Sequence, residues 1–224
     1  VPIVDFDFAA IFIAFVALLL SLTVHEAAHA WAADRLGDPT ARALGRLSLN
    51  PAVHVDPLGT LVFPLVAMVT GAPLIGWAKP VPIAPWRFDR PRQASMLVAF
   101  AGPLSNLALA FVAAVALRML PLEALSSLGP AGQAAAADSR ILAPVARLAW
   151  GVLSINLLLA IFNLLPIPPL DGSSVLAGLL PERAAAGLDR LRPYGFLLLY
   201  ALLLSGGFSL IVSPPYLLLL SWLT

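Results

Sequence analysis

The chain contains no cysteine, so no disulfide staples it and no thiolate can ligate a metal; a metal site here must be built from His, Asp, Glu or backbone oxygen. It is also short of charge. Only 11% of its 224 residues are Asp, Glu, Lys or Arg, and the 13 basic residues nearly balance the 12 acidic ones. No basic run is interleaved with aromatics, which leaves no electrostatic footprint for nucleic acid and sets that partner aside. Histidine is scarcer still, at three residues. What fills the chain instead is apolar: 60% hydrophobic residues and a mean hydropathy of +0.93, above the range of soluble domains, so the expected solvent is a lipid bilayer.

Four stretches, Phe8–Ala33, Ala94–Leu120, Ile141–Leu165 and Tyr194–Leu223, reach the roughly 20 residues that a bilayer core requires. The first is preceded by Asp5 and Asp7 where a secretory signal would carry positive charge, and reads as a retained transmembrane helix. A fifth stretch, Leu58–Gly76, is interrupted by Pro64, Gly71 and Pro73. Broken backbone is tolerated at membrane depth where protein or a water-filled cavity satisfies it, which suits a re-entrant segment. Charge supports that reading. With Leu58–Gly76 re-entrant, Arg35, Arg42, Arg46, Lys79, Arg87, Arg90, Arg92, Arg183, Arg190 and Arg192 share one side, leaving Arg118, Arg140 and Arg147 elsewhere, a strong positive-inside asymmetry. A spanning fifth segment would divide the basic residues almost evenly.

The connections 34–57 and 76–93 alternate loosely (Thr40, Arg42, Leu44; Trp77, Lys79, Val81) and are expected to form small strands at the cytoplasmic face, while 121–140 reads as an external linker. There is no internal repeat. The expected fold class is thus an all-α polytopic membrane protein with about four spanning helices, a re-entrant segment and small cytoplasmic-side β-strands. It forms a single membrane-embedded domain over 1–224, with a core over 8–180 and a C-terminal hydrophobic segment over 194–223.

The chemistry begins near the end of the first helix, at His25-Glu26-Ala27-Ala28-His29. Residues i and i+4 lie one turn apart on one helix face, so two imidazoles can bind one Zn²⁺ while the adjacent Glu26 serves as base. The bland alternative is an interhelical polar cluster, but three ionisable groups inside an apolar segment are costly and mark function by default. Hydrolytic zinc takes three protein ligands and keeps a position for water. Asp171, in the run Asn163-Leu-Leu-Pro-Ile-Pro-Pro-Leu-Asp171-Gly172, is the leading candidate for the third. Pro166, Pro168 and Pro169 forbid a regular helix there, although Asp171 would also suit an ordinary helix N-cap. His25 lies about 14 Å of helix rise above Asp34, roughly halfway from the surface to the midplane. The re-entrant topology brings Asp171 to that same side.

With those residues in place, the chain resembles the site-2 protease family of intramembrane zinc metalloproteases. The resemblance rests on HEAAH at 25–29, FNLLPIPPLDG at 162–172, AGPLSN at 101–106, NPAVHVDPLGT at 50–60 and GWAKPVP at 76–82, and points to the compact bacterial-type branch. It implies that His25, His29 and Asp171 ligate one zinc per chain, that Glu26 is the general base, and that Asn163 binds substrate or the developing oxyanion. It also implies a multi-pass protein of the bacterial cytoplasmic membrane with its active site towards the cytoplasm, and membrane-protein or transmembrane-peptide substrates. Some members carry PDZ or CBS domains, for which these 224 residues leave no room, so a regulatory membrane partner would act in trans.

Asn163 has a physical case of its own, since its amide can donate to an oxyanion, against the alternative of a helix-terminating residue. His54 reads either as a substrate-side or metal-supporting group or as a residue pinning its turn through Asp56. Ala101, Gly102, Ser105 and Asn106 read as close helix packing with one polar contact. Two other function classes remain: a metal transporter, expected to show ligands at several depths and pseudo-symmetric halves, and a proteolytically inactive scaffold.

Overall fold

The computed structural model describes residues 7–70, 76–121, 125, 128 and 141–224. Three helices are long and apolar enough to cross a membrane: α1 (Phe8–Arg35), α4 (Pro91–Arg118) and α5 (Leu142–Asn163). At 1.5 Å per residue each exceeds about 30 Å, the thickness of a hydrocarbon core. They form one bundle, in which α4 packs against both α1 and α5, and α1 against α5. Small residues make this approach close: Ala17, Ala110, Ala113 and Ala114 surround the fully buried Leu153 and Leu157.

Shorter elements carry the chain between these helices. α2 (Thr40–Ala43) is a single turn, a π-type turn over Pro57–Val62 runs into α3 (Phe63–Thr70), and α6 (Asp171–Leu179) and α7 (Glu182–Asp189) follow α5. Arg92 donates from Nε and Nη2 to the Ala177 carbonyl at 3.0 and 2.7 Å, and Gly178 lies so close to Met96 that a Cβ would approach it to 2.4 Å. Both contacts lock α6 onto the start of α4.

Two expectations need correction. No β-strand forms among the described residues. Thr40–Ala43 closes into helix, and the stretch 77–82 is extended but meets loop carbonyls rather than a second strand. Pro80 and Pro82 carry no N–H, so a ladder cannot continue along it. The C-terminal stretch expected as one spanning helix is broken into α8 (Gly195–Leu204) and α9 (Gly207–Leu223), and the helical run Glu182–Leu204 meets α9 at a bend of 79°. Gly206 stands between them at φ 74, a left-handed conformation that ends the first helix. The bundle therefore has three candidate spans, or four if the bent pair counts as one. The expected linker 121–140 lies almost entirely outside the described residues, as does 71–75 of the segment expected to be re-entrant.

The two flanks of that segment meet. Trp77 N–H donates to Gly59 O at 3.0 Å, Lys79 N–H to His54 O at 2.8 Å, and Thr60 Oγ1 to Trp77 O at 2.9 Å. The Trp77 indole lies flat against Gly59, where any Cβ would come within 2.4 Å of the ring.

At the end of α1, Gly37 (φ 108) turns the chain and Asp38 N–H returns to Ala33 O at 2.9 Å. The Asp38 carboxylate, with no exposed surface, then accepts Ala84 N–H at 2.6 Å, Thr40 N–H at 3.1 Å and the Thr40 hydroxyl. Burial by itself would raise its pKa. These donors, with the Arg87 guanidinium, outweigh burial and hold the carboxyl below its ordinary value. A depressed carboxyl adds stability that is complete above the unfolded value and is lost as pH falls through the folded one. Asp38→Ala is expected to cost on the order of 1–3 kcal/mol near neutral pH. Thermal unfolding in detergent should show the wild-type advantage shrinking below about pH 4.

Candidate metal centre

HEAAH occupies the C-terminal half of α1, where His25 and His29 are both buried. The imidazoles meet edge to face, with ring centroids 4.6 Å apart and Nε2 atoms 3.0 Å apart. Their tautomers follow from their surroundings. His29 Nδ1 lies 2.7 Å from the Val98 carbonyl, which can only accept, so Nδ1 carries the proton.

For His25 the argument runs through a buried chain across three helices. Ser21 Oγ donates to Ala17 O at 2.6 Å, and Asn156 Nδ2 donates to Val152 O and to Ser21 Oγ, each at 2.7 Å. Asn156 Oδ1 therefore accepts from Asn106 Nδ2 at 2.7 Å, which turns Asn106 Oδ1 towards His25 Nδ1 at 2.6 Å. His25 Nδ1 must donate. In the neutral rings both Nε2 atoms are then lone pairs facing one another.

The third member arrives from α6. Asp171 opens that helix, but its carboxylate does not cap it; Oδ2 lies 3.2 Å from His25 Nε2 and 3.4 Å from His29 Nε2, buried and without a hydrogen-bond donor. Gly172 permits this placement. A Cβ there would come within 2.2 Å of the Leu164 carbonyl oxygen at the end of α5. Gly102 on α4 plays the matching part from the other side, since a Cβ would sit 2.4 Å from His29 Nε2 and 2.6 Å from His25 Cε1.

With both imidazoles neutral, the two Nε2 atoms and Asp171 Oδ2, 3.0–3.4 Å apart and out of water, are three acceptors that call for a cation between them. A tetrahedral zinc with bonds of about 2.0–2.1 Å has ligand–ligand edges of about 3.3–3.4 Å, so the residues present fit the ion. Among the described residues, these three are the one group of His, Asp and Glu so arranged.

The other sequence-derived candidates separate. Glu26 stays outside the trio and turns its Oε2 to Val81 N–H at 3.1 Å. Asn163 ends α5, half-buried, with no side-chain hydrogen bond to any described residue. His54 is 2% exposed and does not pin its turn through Asp56: its Nε2 donates to Ser48 O at 2.8 Å, while Asp56 caps the next turn by accepting Leu58 and Gly59 N–H. Asn106, expected as scaffold, is the partner of His25. Asn156 and Ser21 were missed, although a polar amide within an apolar segment is a signal that sequence reasoning can use.

Comparison with known proteins bears on this geometry. The model of "Peptidase family M50" matches residues 13–134 and 119–205. The chain belongs to this family. The Bacillus subtilis protein named "Putative zinc metalloprotease YwhC" is 38% identical over 199 residues, covering 89% of this chain and 83% of the relative. Rip2 of Mycobacterium tuberculosis, also named as a zinc metalloprotease, is 31% identical over 201 residues, 88% of this chain and 69% of its own. No solved structure gives a significant match. The protein is accordingly a site-2-protease-like membrane metalloprotease, and its cofactor is zinc.

The hydrogen bonds behind the histidines hold Nδ1 as the donor, the tautomer that suits Nε2 for ligating a metal. Asn106→Leu keeps approximate size and removes the acceptor, and is expected to weaken zinc binding about 10–100-fold, read by competition with a graded chelator. Gly102→Ala should displace the imidazoles and lose the metal under the same titration, while the protein still elutes as a folded species in detergent.

Proposed function

We propose that His25, His29 and Asp171 hold the zinc, that Glu26 is the general base, and that the protease hydrolyses peptide bonds of membrane-spanning substrates. The single observation that carries this reading is the convergence of His25 Nε2, His29 Nε2 and Asp171 Oδ2 at 3.0–3.4 Å, with Glu26 beside them on the same helix but not among them. Zinc, when bound, acts as a Lewis acid that lowers the pKa of water and polarises a carbonyl. The chain supplies the rest. Glu26 accepts the proton of the attacking water on its free oxygen and returns it to the leaving amine nitrogen. The Asn163 amide, unpaired among the described residues, donates to the carbonyl oxygen as negative charge develops there. His54, bonded to Ser48 O, supports the loop that meets Lys79 and takes no part in ligation.

A substrate helix hides its amides in hydrogen bonds, so it unwinds locally before cleavage. The segment 58–76 is read as re-entrant because its flanks hydrogen-bond to each other at Gly59 and Trp77. The helical part from Pro57 to Thr70 rises about 21 Å, short of a full crossing. With basic residues gathered on that side, the active site faces the cytoplasm of a bacterial cell, and any regulatory membrane partner acts in trans.

Metal analysis and cleavage of a single-span substrate, measured on the same preparations, test the assignment. Glu26→Gln should keep zinc near one per chain while cleavage falls by orders of magnitude, and Asp171→Ala should lose both. His54→Ala should keep zinc and change cleavage by a few-fold at most. A Glu26→Gln protein that still cleaves removes the base from the mechanism; zinc flux into liposomes without wild-type cleavage favours a transporter. Topology has its own test: single cysteines at the exposed positions Ala43, Asp89 and Ala184 should label from one face of oriented vesicles and a cysteine at Met119 from the other.

A further inference from the structure

The two histidines are held by helix α4, but Glu26 is held by something else. Its Oε2 accepts the Val81 N–H at 3.1 Å. Val81 stands between Pro80 and Pro82, neither of which has an N–H, so this is the sole main-chain donor from residue 80 to residue 82. The extended stretch that offers it is fastened at each alternate residue: Trp77 N–H to Gly59 O, Lys79 N–H to His54 O, and Val81 N–H to the glutamate. Buried Arg46 adds its Nη2, bonded to the carbonyl oxygens of Lys79 and, at 3.2 Å, Pro80. Side chains lay the same stretch along α1, with Ala78 against Leu18 and Leu22 and Val81 against Ala30 and Ala41. Glu26 falls between those two contacts.

We infer that the Trp77–Pro82 stretch is the positioning device for Glu26: the Val81 N–H pins one carboxylate oxygen, leaves the other for the water proton, and is itself held in register by Arg46 and the 54–59 loop. A glutamate side chain is otherwise free about three bonds, and a misplacement near 1 Å costs about a hundredfold in rate. The two prolines keep the stretch extended and leave no neighbouring amide to compete for the carboxylate. This role rests on Glu26 being the general base.

Hydrogen exchange gives a test independent of turnover. In the metal-free full chain, a peptide covering residues 80–82 reports Val81 alone as an internal amide, and Glu26→Ala should speed its exchange at least tenfold while the Trp77 and Lys79 amides keep their protection. Unchanged exchange at Val81 overturns the contact, and this measurement stands even if the kinetic variants fold poorly. Kinetics then test the role. Val81→Pro and Val81→Ala both remove the valine side chain, but only the first removes the N–H, and the residue preceding Pro82 is already confined to extended backbone. Val81→Pro should fall at least tenfold below Val81→Ala in kcat, with KM and zinc content alike, and should add no further loss in the Glu26→Gln background. Equal kcat values, or losses that multiply with Glu26→Gln, overturn the positioning role while leaving the general base intact. A Glu26→Gln protein that cleaves normally instead removes the base on which the role rests.

Discussion

The centre of this molecule is an electrostatic conflict: two imidazole lone pairs and a carboxylate oxygen are held 3.0–3.4 Å apart where water cannot separate them. In the neutral imidazoles the single proton of each ring is committed at Nδ1, one to Val98 O and one to Asn106 Oδ1, so the Nε2 atoms offer lone pairs to one another. A cation resolves it. Much of the surrounding architecture serves to bring these atoms together and to keep their protons pointed away.

Two glycines illustrate the steric side. Gly102 lets α4 lie directly against the histidine face of α1, and Gly172 lets the start of α6 press onto the end of α5 so that Asp171 reaches inward. The polar side is the chain Ser21–Asn156–Asn106–His25, every side-chain donor of which ends on an acceptor. In an apolar bundle an unsatisfied amide is expensive, so a network anchored on the Ala17 and Val152 carbonyls has one consistent direction. That direction decides which nitrogen of His25 is bare.

Legibility in the sequence followed the range of the interactions involved. The three long helices were readable from apolar length, although the C-terminal stretch shows the limit of that signal: Gly206, at φ 74, ends one helix and begins the next inside an apolar run. The expected strands failed for a related reason. Alternation in 77–82 does produce extended backbone, but a strand needs a partner ladder, and Pro80 and Pro82 cannot donate to one. Of the alternatives weighed for His54, the turn contact through Asp56 drew on closeness in sequence, whereas the ring nitrogen Nε2 donates to Ser48 O.

By itself the sequence determined that His25 and His29 share a helix face with Glu26 between them, that no thiolate competes for metal, and that prolines keep helix out of the approach to Asp171. These follow from local geometry, the 3.6-residue period and the locked proline φ, which need no knowledge of the rest of the chain. Only the tertiary structure decided that Asp171 Oδ2 meets both Nε2 atoms, that Asn106 rather than solvent receives the His25 proton, and that Glu26 is met by the amide of Val81. Each of those contacts joins segments separated by 50 or more residues. No local preference specifies such a pair; it exists because the packing of α1 against α4, of α6 against α4 and of the stretch 77–82 along α1 brings these particular atoms within reach.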